Sequence, residues 1–160
     1  MGLLNWRKLE EHFGTDSEYL GFLRDSPSAA QRLCHILSNS RFLGDALNKS
    51  VESVTWLGSD NDLQPRSRES LDVQTHASLE RNAGSINDFA NSIRAMRRHE
   101  IERIGLGWMS GVIDDKASLA GMTDVYDAAI DASLTWAIRH QTQEMGLDEA
   151  PAAIAVIGMG

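Results

Sequence analysis

Ser85-Ile86-Asn87-Asp88-Phe89-Ala90-Asn91-Ser92-Ile93-Arg94-Ala95-Met96-Arg97-Arg98-His99-Glu100-Ile101-Glu102-Arg103-Ile104-Gly105-Leu106-Gly107-Trp108 is the stretch on which the fold turns. Ser85 followed three residues later by Asp88 has the form of a capping box, with Asp in place of the usual Glu or Gln. Phe89, Ile93, Met96, Glu100, Ile104 and Trp108 then return every three or four residues round one broad face, which is the period of a helix and not of a strand. Gly105, Gly107 and Gly111 weaken its end.

Working outward, a second long helix is expected from 118 to about 145. Leu119, Met122, Tyr126, Ala129, Ser133 and Trp136 form its stripe, and Gly146 ends it. Upstream, Pro65 reads as the first residue of a polar helix running to about Asn82, after a turn at Gly58-Ser59-Asp60-Asn61-Asp62. Five shorter helices precede it. Leu3, Leu4, Trp6, Leu9 and Phe13 mark the first, and Tyr19, Leu20, Phe22 and Leu23 the second. Pro27 opens the third, with Ala30, Leu33, Cys34 and Leu37 on one face; residues 40–47 and 51–57 give the fourth and fifth. Short helices are marginal alone, so tertiary packing must hold them.

The end of the sequence differs from everything before it. Asp148-Glu149-Ala150-Pro151 links to Ala152-Ala153-Ile154-Ala155-Val156-Ile157-Gly158-Met159-Gly160, an apolar run closed by glycines that reads as a buried strand entering a tight turn. Such a strand needs neighbours, and the preceding residues offer almost none. The sequence therefore looks cut at the entrance of a second domain.

The 160 residues fill one ordinary domain. Apolar content of 42% and charged content of 24% are those of a soluble globular protein. A net charge of −8, from 15 Lys+Arg against 23 Asp+Glu, argues against nucleic acid or an anionic membrane surface as the main partner. The single cysteine, Cys34, excludes a disulfide framework and makes the cytoplasm the expected compartment. No signal peptide, myristoylation motif or membrane span is legible.

Three blocks carry a family resemblance. Ala30-Gln31-Arg32-Leu33-Cys34-His35-Ile36-Leu37-Ser38-Asn39-Ser40-Arg41-Phe42-Leu43-Gly44-Asp45, with Gly2-Leu3-Leu4-Asn5-Trp6-Arg7 before it, resembles the helical region of the bifunctional glutamine synthetase adenylyltransferase/adenylyl-removing enzymes. Residues 93–104 are similar to the family's R-x-x-R-R-x-E-[LM]-x-R-I helix, and Ile154-Ala155-Val156-Ile157-Gly158-Met159-Gly160 to the start of its [VI]-[IV]-G-M-G-[KR]-[FLY]-G-G strand and turn. The blocks cover nearly the whole sequence in the expected order and look more like the approach to the C-terminal, adenylylating half.

The resemblance implies an all-α, multi-helix domain over 1–150 with two long C-terminal helices, and, over 151–160, the first strand and turn of an α/β nucleotidyltransferase domain. It implies a full protein that transfers AMP from ATP to a tyrosine of glutamine synthetase and removes it under nitrogen control. Mg²⁺ and ATP would be its cofactors, glutamine synthetase and a PII-type regulatory protein its partners, and the catalytic domain would lie in cis. Gly158 and Gly160 are the candidate nucleotide-binding residues, supporting a phosphate-binding turn. The family's Gly-Gly turn and metal-binding carboxylates would follow Gly160, so these 160 residues are expected to bind no metal and to be inactive alone. The alternative, from the residues alone, is a non-enzymatic helical interaction module.

Other features receive bland readings. Residues 58–62 imitate a Gly-Ser turn with Asp-x-Asp, but Pro65 follows too closely for a central strand, so a structural turn is expected. Arg94, Arg97, Arg98 and Arg103 read as a solvated or interdomain face, with Arg98 and Glu102 at i,i+4 spacing. The five histidines lack metal-ligand spacing. Trp6, Trp56, Trp108 and Trp136 read as core, and Cys34 as a buried filler.

Overall fold

The computed structural model describes residues 7, 11, 17–150 and 152–157. Among them every regular element is helical: α1 (Ser17–Asp25), α2 (Pro27–Asn39), α3 (Arg41–Leu47), α4 (Val51–Thr55) with a 3-10 turn at Trp56–Gly58, α5 (Arg68–Arg81), α6 (Ile86–Met109) and α7 (Asp115–Glu144). The first expected helix, on Leu3 to Phe13, falls largely outside the described residues.

Serine chemistry starts most of these helices. Ser40, Ser50, Ser67 and Ser85 each accept a hydrogen bond from the backbone N–H three residues on, at 3.2–3.3 Å, which satisfies one orphan donor of the first turn. The polar helix therefore begins at Arg68 behind Ser67, three residues later than Pro65 suggested. Asp114 caps α7 through the Ala117 N–H at 2.7 Å, so that helix starts at Asp115 rather than near Ser118.

Both long helices stop in the same way. Gly111 and Gly146 adopt φ of 69° and 65°, a region open to glycine and strained for other residues. Behind α6 the Val112 N–H donates to the Gly107 carbonyl and the Gly111 N–H to that of Trp108. Behind α7 the Leu147 N–H donates to the Thr142 carbonyl and the Gly146 N–H to that of Gln143. These are two Schellman motifs, which satisfy the last orphan carbonyls.

The chain divides into two compact units, and the division passes through both long helices. One unit takes the described residues of Met1–Pro65 with His99–Met122. Its core joins Ala29, Leu33, Ile36 and Leu37 of α2 to Leu43, Leu47, Val54, Trp56, Leu57, Leu63 and Leu106, with Phe22, Leu23, Met109 and Val112 packed at its edge. The buried face of α2 is thus Ala29, Leu33, Ile36 and Leu37. Cys34, expected as a buried filler, is exposed, because it lies outside that arc.

Backbones approach closely in this unit. A Cβ on Gly107 would stand 2.3 Å from the Leu63 carbonyl oxygen, and one on Gly121 would stand 2.7 Å from Pro65 Cβ. Trp56 is buried as expected, whereas Trp108 is 51% exposed. Its indole N–H donates to Asp115 Oδ1 at 2.7 Å, so the ring is held at the surface.

The other unit, Arg66–Arg98 with Thr123–Gly160, contains α5, the first half of α6 and most of α7. Leu71, Leu79, Phe89, Ile93, Met96, Val125, Ala128, Ala129, Ala132 and Trp136 are its buried apolar side chains. Trp136 lies 5.9 Å from Phe89, nearly parallel at 13°. The Ser78 hydroxyl donates to that of Ser92 at 2.7 Å, joining α5 to α6. On α7 the buried stripe is Val125, Ala128, Ala129, Ala132 and Trp136, while Leu119 and Tyr126 of the expected stripe are 69% and 45% exposed. The small residues face the core because close helix packing favours short side chains there.

Residues 152–157, expected as a strand, form no ladder and are exposed. A strand needs a paired edge for its N–H and C=O groups, and the described residues contain no other strand.

Candidate functional site

Gly58-Ser59-Asp60-Asn61-Asp62, the string that imitates a catalytic motif, is a turn fixed by two arginines. Arg32 donates to the Leu57 carbonyl at 2.8 Å and pairs with Asp60. Arg103 reaches from α6 to the Asp62 carbonyl. The Asp62 N–H closes the turn on Ser59 Oγ at 3.4 Å. Asp60 is thereby engaged by a guanidinium.

Arg103 is thereby set apart from the arginine run, which the sequence placed on a solvated or interdomain face. It is 7% exposed, donates to Glu100 Oε2 at 3.1 Å and stacks over Trp56 at 4.0 Å from the ring centroid. Glu100 is 1% exposed, and His99 lies edge-on to Trp56 at 4.6 Å. A buried ion pair needs further partners around it to offset desolvation; for the arginine the Asp62 carbonyl accepts a hydrogen bond and the Trp56 face adds a cation–π contact. Sequence reasoning placed Glu100 on the apolar face but missed its pairing with Arg103, three residues on.

Arg94, Arg97 and Arg98 are exposed. Two of them border a groove of about 530 Å³ between α6 and α7, lined by Ala90, Ile93, Arg94 and Arg97 on one side and by Tyr126, Ala129, Ile130, Ser133 and Leu134 on the other, with Val156 at its wall. Each row repeats at three and four residues, so each is one helix face. Arg97 lies over the Tyr126 ring at 5.9 Å, and Arg94 donates to Asn91 Oδ1 at 3.3 Å.

Two acidic side chains of α7, Asp127 and Asp131, face Arg68. Arg68 of α5 hydrogen-bonds Asp72 at 2.8 Å, pairs with Asp131 and lies 3.7 Å from Asp127. The hydrogen bond to Asp72 raises the Arg68 guanidinium above its ordinary value, with desolvation opposing and Asp131 reinforcing the shift. Arg139 pairs with Glu80 at 2.7 Å. The α5–α7 seam is therefore lined by ion pairs at its solvent margin.

Gly158 and Gly160, the candidate nucleotide-binding residues, lie outside the described residues. Among those described, no group of three or more His, Cys, Asp or Glu is placed to hold a metal ion, and no helix is long and apolar enough to cross a membrane.

Fold and site together define an all-α assembly whose described residues offer a groove and a clamped turn. The chain belongs to the glutamate-ammonia ligase adenylyltransferase family, whose sequence pattern matches residues 30–160. It is 76% identical, over all 160 residues, to the bifunctional glutamine synthetase adenylyltransferase/adenylyl-removing enzyme of Bifidobacterium longum. Proteins of the same description from Leifsonia xyli and Mycobacterium tuberculosis are 37% and 35% identical over 99% of the chain. The chain spans about 15% of the length of these relatives. No solved structure gives a significant match.

Proposed function

We propose that this chain is a helical portion of an enzyme that transfers AMP from ATP to a tyrosine of glutamine synthetase and removes it again, in the control of nitrogen assimilation. The observation that carries this reading is the family match, which runs from α2 to the last residue of the chain. Within that reading, residues 1–150 form the helical domain, and 151–160 supply the first strand and turn of a nucleotidyltransferase domain. The strand gains its edges only when the rest of that sheet is present. This accounts for an apolar stretch, Ile154 to Ile157, that is exposed here.

Gly158 and Gly160 then permit the backbone of the turn to approach a triphosphate. Mg²⁺, which neutralises phosphate charge and orients the attacking oxygen in such transfers, would be held by carboxylates elsewhere in the enzyme. No described residue is assigned to it. The cytoplasm is the proposed compartment, and glutamine synthetase and a PII-type nitrogen regulator are the proposed partners.

The test is a chimera in which this chain replaces the corresponding segment of the Bifidobacterium longum relative. Incubated with ATP labelled on the α-phosphate, Mg²⁺ and unmodified glutamine synthetase, the chimera labels glutamine synthetase and the 160-residue chain alone does not. A folded chimera that transfers no label refutes the reading, and so does transfer by the chain alone.

A further inference from the structure

We propose that the groove between α6 and α7 is a docking seat for an acidic, amphipathic helix of a partner protein. Its floor is apolar: Ile93 and Ala129 are buried beneath it, and Ile130, 41% exposed, stands at its mouth. An uncovered cleft of this kind is a usual place for a helix to lay its apolar face.

The charges select the occupant. The chain as a whole carries 23 Asp+Glu against 15 Lys+Arg, yet the groove is lined by two arginines and no carboxylate. Arg32, Arg68, Arg103 and Arg139 each hold a carboxylate. Among the described residues Arg94 meets only the Asn91 amide oxygen and Arg97 only the Tyr126 ring. Asp127 and Asp131, the acidic residues nearest along α7, are turned to Arg68. Two arginines on the rim of an apolar cleft call for carboxylates from outside.

Spacing sets the shape of that partner. Arg94 and Arg97 are three residues apart on one helix, so their guanidinium groups suit carboxylates three or four residues apart on a facing helix. The α7 wall from Tyr126 to Leu134 runs nine residues, about 13 Å at the helical rise, which seats between two and three turns of a partner. Val156 touches the wall but remains 57% exposed, so residues 152–157 leave the floor open.

The probe is a fluorescein-labelled model helix with Leu at i, i+3, i+4 and i+7 flanked by Glu, compared with the same peptide carrying Lys for Glu. Fluorescence polarisation with the full 160-residue chain is expected to show the Glu peptide binding about tenfold or more tightly than the Lys peptide, a preference that fades with added salt. Arg94→Glu with Arg97→Glu, at exposed positions where the helical circular dichroism should persist, reverses the preference. Equal binding of the two peptides overturns the proposal, as does absence of binding or a preference that survives the charge reversal. Two further results also overturn it, by assigning the seat to another occupant. One is self-association of the unmodified chain that Ile130→Asp abolishes, and the other is peptide binding seen only in Val156→Ser.

Discussion

Replacing Gly107 by alanine opposes two effects whose magnitudes differ enough to predict the sign. In a helix interior the change alone favours folding by about 0.8–1 kcal/mol, through a smaller loss of backbone entropy. At Gly107, however, the added Cβ would sit 2.3 Å from the Leu63 carbonyl oxygen, about 1 Å inside the usual separation of a carbon and a carbonyl oxygen in contact. The obstacle is backbone, in a segment whose Asp62 carbonyl is held by Arg103, so it does not swing aside as a side-chain tip would. Overpacking of a well-filled site costs about 1–3 kcal/mol, and the upper part of that range applies because helix and turn must separate. The net expectation is a loss of about 1–2 kcal/mol, or about 2–8 °C in Tm for a chain of this size. Gly21, inside α1 with nothing within 4 Å of its added Cβ, is the control. There alanine should be neutral or stabilising by up to about 1 kcal/mol. Urea unfolding followed by far-UV circular dichroism measures both variants. A Gly107→Ala protein as stable as the parent, or more so, refutes the close-approach reading.

Trp136→Ala, which empties a site stacked on Phe89, should destabilise by about 3–5 kcal/mol; a loss under about 1 kcal/mol in the same unfolding assay would place the ring outside the core. Arg103→Ala removes the arginine of a buried ion pair and should cost about 3–5 kcal/mol, while Arg103→Met paired with Glu100→Leu should recover part of that loss. Arg139→Ala breaks only the exposed pair with Glu80 and should change stability by less than about 1 kcal/mol; a larger loss would mean that this pair fastens α5 to α7. Cys34, exposed on α2, should react with a thiol reagent in the native protein to one equivalent without denaturant, and protection until unfolding would contradict its placement.

The helices were legible from their periodicity and some of their ends from local chemistry, although α5 and α7 start three residues from where Pro65 and Ser118 pointed. Ser85 caps as its position suggests, and Gly146 takes the left-handed conformation that stops α7. The faces were less legible. The expected stripe of α7 held Ala129 and Trp136 correctly but also Leu119 and Tyr126, which are exposed, and it missed Val125, Ala128 and Ala132, since proximity of neighbouring backbones selects small residues and no single-helix periodicity reports it. Cys34 went astray on α2 for a related reason: one residue is a turn of about 100°, enough to pass from core to solvent. Arg103 looked like its neighbours Arg97 and Arg98, and only the distant turn that it grips sets it apart. Of the candidate site, the arginine run was visible in the sequence, whereas the groove needed α6 and α7 side by side. Gly158 and Gly160 stay a proposal drawn from the family.

The grip of Arg32 and Arg103 on the turn before Pro65 also bears on the order of assembly. Arg32 closes a loop of 28 residues onto Asp60 and Arg103 one of 41 residues onto Asp62, whereas α2, α3 and α4 can meet through much shorter excursions of chain. Loop closure over longer separations is paid in entropy before any contact repays it, so contacts within α2–α4 are expected to form before Arg103 of α6 reaches the turn. A lock set after the rate-limiting step leaves the speed of folding almost untouched and instead governs how long the native state survives. Arg103→Ala is therefore expected to speed unfolding more than it slows folding, as read from the two arms of a urea chevron.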